Sequence, residues 1–273
     1  MATERHPLEA PTPDADRGAA DLAASVQAAL LADYVAAEDA LRAFTDRNFG
    51  RLCAICARWT LLAARTNAGL PAVQWPLSSW VTNCCNANHA LESMSESSLA
   101  GIVASREEGK AWWRQVKRAN AAPCNALTET GCHLTRGRPE LCNRYFCEAV
   151  RDHLWRLGGE RDGARLSARL DDLQKRWARL YTVYGEAVTA PAESYQGRGR
   201  PGRSAVRRAA GWDEHFVFLE RFDAEIAAAT RPVTGDEVAH RLFKVEGDAA
   251  LYQPFFDAEV DAIGGTIRND EIG

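Results

Sequence analysis

The placement of the cysteines restricts this chain more than any other feature. All eight lie between residues 53 and 147 of the 273-residue sequence. They are Cys53, Cys56, Cys84, Cys85, Cys124, Cys132, Cys142 and Cys147. The chain starts with a polar, proline-containing segment that lacks the basic start and apolar centre of a secretory signal, so we expect a cytoplasmic protein. Because cytosolic cysteines seldom persist as disulfides, the clustering favours thiolate metal ligands over inert core cysteines or disulfides.

The later cysteines form the strongest motif. They follow the pattern Cys124-x7-Cys132-x9-Cys142-x4-Cys147. Gly131, Gly137 and Pro139 lie between them and favour turns, which let thiolates converge. Soft thiolates select zinc or iron–sulfur clusters over magnesium or calcium, and four of them complete either kind of site. The spacing therefore predicts a metal site and leaves the choice between zinc and iron open.

The earlier cysteines are weaker candidates for the same role. Cys53 and Cys56 are spaced to lie one turn apart on the same face of a helix. Cys84 and Cys85 are adjacent, and adjacent side chains of an extended chain point in opposite directions. We therefore expect that pair to serve two metals, or one metal and the core. All four are predicted metal ligands near the later cysteines.

The segment from Cys124 to Cys147 resembles the second half of the YkgJ-type cysteine-cluster family, whose members are described as chelators of zinc or iron. The resemblance is carried by the spacing from Cys132 through Arg138-Pro139 to Cys142 and Cys147. The family's earlier cysteines form one compact block, whereas Cys56 and Cys84 are far apart in this chain. The resemblance implies a chelated metal, with iron or an iron–sulfur cluster expected and zinc as the alternative.

Basic side chains near the cysteines are candidates for tuning such a site. Arg138 and Arg144 are placed to hydrogen-bond cluster sulfur and stabilise its charge. His133 is adjacent to Cys132, so we consider it as a further ligand or proton donor, together with His89 and His153. For each histidine the alternative is an ordinary surface or core position.

The rest of the sequence predicts an all-α fold, a helical domain with an irregular cysteine-rich metal-binding insertion. We expect a flexible arm over residues 1–18 and a helical region with the cysteine cluster over 19–150. A second helical region over 151–273 contains an exposed basic loop near 197–208, which we interpret as a solvated linker. No segment shows the alternating pattern of a half-buried strand.

Several individual helices are predicted from periodicity. A long helix starts near Asp21 and is expected to break near residues 48–50. One apolar row marks a later helix: Leu166, Leu170, Leu173, Trp177, Leu180 and Tyr184. Trp212, Phe216, Leu219, Phe222 and Ile226 mark another. Further helices are expected over residues 106–120, after the capping box that begins at Thr234, and over 255–263.

Composition narrows the function classes. The net charge of −4 and a pI near 5.9 give no basic field that would gather nucleic acid or anionic lipid. No apolar stretch has the roughly 18 residues of a membrane span. Three functions remain: an iron or iron–sulfur protein with redox or substrate-modifying activity, a structural zinc adaptor without catalysis, and a metal-free helical binding module. The partner is expected to be a protein or a small-molecule substrate.

Overall fold

A computed structural model describes the parts of the chain that form the helical core and the loop packed on it. The described residues are 13–66, 95, 97–107, 127–128, 131–132, 134, 136–190, 202–229, 233–234 and 266–267. In chain order the elements are α1 (Pro13–Thr66), α2 (Leu99–Glu107), β1 (Leu127–Thr128), β2 (Gly131–Cys132), α3 (Glu140–Arg144), α4 (Glu148–Thr189), α5 (Arg203–Ala210), α6 (Trp212–Ala227), β3 (Val233–Thr234) and β4 (Thr266–Ile267). The described part is mostly helical, which agrees with the predicted all-α class.

The core lies where α1, α4 and α6 pack together. The apolar row predicted for α4, from Leu166 to Tyr184, is completely buried. It meets α1 through Tyr34, whose ring centroid is 5.7 Å from that of Trp177. Phe44 of α1 packs on Phe222 of α6 at 5.2 Å. One hydrophobic cluster therefore joins both halves of the chain across the boundary predicted at residue 150.

Helix α1 is continuous through the predicted break at residues 48–50. Asn48 donates its side-chain amide to the carbonyl oxygen of Phe44 at 2.9 Å and to Oδ1 of Asp223 at 2.8 Å. Phe49 is completely buried. These tertiary contacts outweigh the low helix propensity of the Asn-Phe-Gly sequence. The helix also begins at Pro13, inside the arm predicted for residues 1–18.

Helix α4 reverses direction at Gly159, whose φ of +63° and ψ of −164° lie outside the helical range. The two arms come so close that a Cβ on Gly158 would lie 2.4 Å from the backbone nitrogen of Gly163. Farther from the turn, Arg151 Nη1 pairs with Asp171 Oδ1 at 2.7 Å. The segment is therefore a helical hairpin closed by glycines.

The basic loop predicted near residues 197–208 is partly a helix, because residues 203–210 form α5. Arg203 makes two hydrogen bonds to the carboxylate of Asp33, at 2.7 and 2.5 Å. The guanidinium of Arg207 lies 3.7 Å from the centre of the Trp212 ring. These arginines hold α5 on the bundle, so the interpretation as a solvated linker is wrong for this part. Residues 197–201 lie outside the described residues.

The remaining predicted helices lie partly outside the described residues. Thr234 lies in β3 and pairs with Thr266 of β4. The helices expected after it and over 255–263 fall outside the described residues. Arg106 belongs to α2, whereas residues 108–120 are again outside. Among the described helices, none combines the length and the apolar character needed to cross a bilayer.

Candidate functional site

The cysteine motif lies on a segment that packs against α1. We call residues 131–147 the thiol loop; residues 133 and 135 within it are not described. It starts in a short antiparallel pair, in which Leu127 of β1 faces Cys132 of β2. Both strands contact α1, and Leu134, which follows, is buried. The cysteine region therefore packs on the N-terminal helix at these residues.

Glu38 of α1 anchors the centre of the thiol loop. Its Oε2 accepts a hydrogen bond from the backbone nitrogen of Gly137 at 2.8 Å. Its Oε1 accepts one from the backbone nitrogen of Arg138 at 2.9 Å and one from the side-chain amide of Asn143 at 2.8 Å. The carboxylate is buried, so these donors replace the water it has lost.

The neighbourhood of Glu38 disfavours negative charge. Burial raises the pKa of Glu38, and the hydrogen bonds from Asn143, Gly137 and Arg138 offset only part of that rise. Tyr34, one helical turn earlier, is fully buried, and burial followed by the charge of Glu38 raises its pKa. The carboxylate of Glu38 therefore lies in a poorly solvated part of the joint between α1 and the thiol loop.

Arg138 connects the anchor with the thiols. Its Nε donates to the carbonyl oxygen of Leu134 at 2.8 Å, and Nη2 donates to that of Cys132 at 3.4 Å. Burial lowers the pKa of Arg138, but the charges of Cys132, Asp46, Glu38 and Cys142, in that order, raise it overall. The guanidinium therefore lies within electrostatic reach of two cysteines of the predicted site.

Arg144, the other arginine predicted to face the site, forms an ion pair within α3. Its Nε lies 2.8 Å from Oε1 of Glu140, one turn earlier. The backbone carbonyl oxygen of Arg144 accepts a hydrogen bond from the Gln174 side chain at 2.9 Å, which ties α3 to α4. The described contacts of Arg144 thus stabilise the end of the thiol loop.

Four of the predicted cysteines have described side chains, and all four are partly buried. Cys132 lies in β2, Cys142 in α3, and Cys147 at the N-cap of α4. Cys53 lies in α1 and, like Cys147, packs against the hydrophobic cluster. None of the four is joined to another of them by a disulfide.

The side chains of the other predicted cysteine ligands lie outside the part of the chain that the structure describes. Cys56 follows Cys53 by one turn of α1, but its side chain is not described. Cys84, Cys85, Cys124, His89 and His133 lie outside the described residues. Within the described part, no group of three or more His, Cys, Asp or Glu side chains is arranged to hold a metal ion. A complete thiolate site therefore requires ligands from the remaining parts of the chain.

His153, considered as a ligand from the sequence, is a core residue. It is buried, and its ring lies 6.5 Å from that of Phe49. Neither ring nitrogen has a hydrogen-bond partner among the described residues. Burial lowers the pKa of His153 to about 4, so the imidazole is neutral at physiological pH.

The sequence reasoning missed Glu38 and Asn143, which hold the site together. Glu38 lies on the apolar face of α1, four residues after Tyr34 and three before Leu41. A carboxylate at such a position must find hydrogen-bond donors elsewhere, and this is the signal that could have identified it. Comparison with known proteins found no family model that matches the chain, and no curated protein or solved structure that matches it.

Proposed function

We propose that the thiol loop binds a metal through cysteine thiolates, as an iron or iron–sulfur centre with redox or substrate-modifying activity. The observation that carries this proposal is the position of Arg138, held on the thiol loop within electrostatic reach of both Cys132 and Cys142. Cysteines ligate metals as thiolates, and a guanidinium fixed on the same loop would offset part of the negative charge of such a site. Cys124 and the earlier cysteines would complete the ligand set.

The same residues fit the chemistry of a thiolate-bound iron centre. Such a centre supplies one-electron chemistry when it is bound. Arg138 would balance part of the negative charge of the thiolates, and its carbonyl partners keep it in place. Cys147 begins α4, where the backbone N–H groups of the first turn favour negative charge. Partial burial of the described cysteines limits access of water to the site.

A structural zinc adaptor is the principal alternative. In that case the metal would be the element that holds the thiol loop in shape. The loop, however, is already fixed to α1 by Glu38 and to α4 by the bond from Gln174. A purely structural metal would add little to this part of the loop, and we therefore favour iron. The metal-free helical binding module remains the third alternative.

Metal analysis of the purified protein tests the proposal. The full-length chain is purified without oxygen, and iron, zinc and acid-labile sulfide are measured per chain together with the visible absorption spectrum. A brown protein containing iron, with or without sulfide, supports the proposal. A colourless protein with one or more zinc ions per chain favours the adaptor, and a protein without either metal favours the binding module.

A variant series distinguishes a specific ligand from a general loss of stability. Cys142→Ser should lower the metal content strongly, because it removes one thiolate from the thiol loop. Leu173→Ala is the matched control, since it creates a cavity in α4 at a completely buried position of the core. We expect Leu173→Ala to lower the melting temperature and to keep the metal. Loss of metal in both variants would contradict a specific role of Cys142.

A further inference from the structure

Glu38 is placed to control the geometry of the thiols although it belongs to a different part of the chain. Its two oxygens accept hydrogen bonds from residues 137, 138 and 143, which lie on both sides of Pro139. Asn143 directly follows Cys142, and Arg138 reaches back to the carbonyl oxygen of Cys132. One carboxylate therefore fixes the middle of the segment between the two cysteines and the residue after Cys142, and it reaches Cys132 through Arg138.

The buried surroundings of Glu38 disfavour its ionised form. Its pKa is raised in the folded protein because burial outweighs the hydrogen bonds it receives. Between its unfolded and folded pKa the folded state binds more protons, so stability falls as pH rises through that window. Protonation of Glu38 therefore stabilises the folded protein relative to the unfolded chain. Groups with shifted pKa values are concentrated at functional sites.

We propose that Glu38 is a positioning residue for the thiol site, which holds the backbone from Gly137 to Asn143 so that Arg138 stays beside Cys132 and Cys142. This inference rests on the proposed function, because it takes the thiols as the functional groups. Glu38 acts through the loop, by way of the hydrogen bonds it accepts from Gly137, Arg138 and Asn143. Its effect should therefore appear in the reactivity of two particular cysteines.

Glutamate is required at this position because all three of its partners are donors. Two are backbone N–H groups and the third is the side-chain amide of Asn143. A glutamine of the same size has one acceptor oxygen and one NH2 group. Whichever way it is oriented, its NH2 group faces a backbone donor and leaves that donor unsatisfied.

Thiol alkylation of the full-length protein as purified tests this inference. A short pulse of iodoacetamide at about pH 9.5, where thiols are ionised without help from a neighbouring charge, is followed by peptide mass spectrometry, which measures the rates at Cys132, Cys142 and Cys53 separately. In Glu38→Gln we expect the rates at Cys132 and Cys142 to rise by about tenfold, since release of the loop opens it locally and exposes these partly buried thiols, while the rate at Cys53 stays unchanged. Cys53 lies on α1 and so reports global loosening.

Asp39→Asn is the matched control variant. It removes the same charge from the neighbouring residue, which accepts two hydrogen bonds from Arg136 of the same loop, at 3.1 and 2.9 Å, with both side chains partly exposed. We expect all three rates in Asp39→Asn to remain within about twofold of the wild-type values, because the amide keeps an acceptor oxygen for Arg136 and water replaces the rest of this partly exposed contact. If Glu38→Gln fails to fold, Asn143→Ala removes one of the three donors and should give a smaller but equally selective increase.

The outcomes separate this inference from the proposed function. Unchanged rates at Cys132 and Cys142, or an equal rise at all three cysteines, would overturn the positioning role. Metal content and the visible spectrum are recorded on the same samples. A selective rise in a protein that contains no metal would keep the role of Glu38 and reject the metal centre. Bound metal with unchanged rates would support the metal centre and reject the positioning role of Glu38.

Discussion

Gly137 shows how a single residue brings the thiol loop close to the helices. Its φ of +68° lies in the left-handed region, and a Cβ at this position would lie 2.5 Å from the nitrogen of Ala104 and 2.7 Å from the oxygen of Ala100. Both atoms belong to the backbone of α2, which cannot move aside cheaply. Glycine is therefore needed here for conformation and for space.

Replacing Gly137 by alanine should destabilise the protein by about 2 to 4 kcal/mol, through backbone strain and the clash with α2. Chemical denaturation followed by circular dichroism measures the effect. Gly185→Ala is the control, because this helical glycine has open space around its Cβ position and the substitution should stabilise by about 0.5 to 1 kcal/mol. Equal stability of Gly137→Ala and the wild type would contradict the close packing described.

The cysteines allow a second prediction at the same scale, which rests on the proposed metal centre. Cys142→Ser should lower the metal content, and Cys53→Ser should do so only if the earlier cysteines supply ligands. Cys53 packs against the hydrophobic cluster, so its substitution should also lower the melting temperature slightly. Metal per chain and melting temperature, measured for both variants, decide the matter. Loss of metal in Cys142→Ser alone would leave Cys53 as a core cysteine.

Residue chemistry made one part of the candidate site predictable and left another part hidden. Arginines near cysteines at motif spacing suggest a role directly, and Arg138 was singled out in this way; its described hydrogen bonds go to the carbonyl oxygens of Leu134 and Cys132. Glu38 is about 100 residues away in sequence from its three partners. Its role depends on the packing of α1 against the thiol loop, and one sequence does not specify which distant donors will reach a buried carboxylate.

At the scale of elements, helix boundaries depend on tertiary contacts as much as on propensity. The sequence predicted the apolar row of α4 because a buried helix repeats its core contacts every three or four residues. The continuity of α1 through Asn48 was not predicted, since the bond from Asn48 to Asp223 of α6 is invisible to local patterns. The reversal of α4 at Gly159 was also missed, because a glycine inside a helical pattern does not by itself show a hairpin.

The α4 hairpin yields a testable expectation. A Cβ on Gly163 would lie 2.5 Å from the carbonyl oxygen of Trp155 on the opposite arm. Gly163→Ala should therefore separate the arms and cost about 2 to 4 kcal/mol, despite the better helix propensity of alanine. Denaturant unfolding compares this variant with Gly185→Ala, which changes the same helix without a clash. A gain in stability from Gly163→Ala would show that the arms are not in close contact.

At the scale of the whole molecule, one core unites the described helices. Apolar residues from Leu30 in α1 to Ile226 in α6 belong to a single cluster. The all-α class could be predicted because helical periodicity is local. The joining of the two predicted halves could not, because that depends on which apolar faces meet in space. Two buried histidines lie in this core, and they link its stability to pH.

His153 and His215 both have a pKa lowered to about 4. Burial lowers the pKa of His153, whereas burial and, to a smaller extent, the charge of Arg176 lower the pKa of His215. Below an ordinary pKa of about 6.5 the unfolded chain binds protons that the folded protein does not, so stability falls as pH decreases from about 6.5 to about 4. Each histidine contributes up to about 3 kcal/mol to this loss. Glu38 acts in the opposite direction within part of the same range, because its pKa is raised.

The acid sensitivity should therefore decrease when a histidine is replaced by a side chain that does not titrate. His215→Phe is suited to this test, because the imidazole already packs against the aromatic rings of Trp177 and Phe216. The free energy of unfolding is measured in urea between about pH 4.5 and 7.5. It should fall less steeply with decreasing pH in the variant than in the wild type, and the two slopes should differ by about the contribution of one bound proton. His153→Phe provides the parallel measurement at the other site. If both variants lose stability in acid as steeply as the wild type does, then the buried, neutral histidines are not the groups that make the folded protein sensitive to acid.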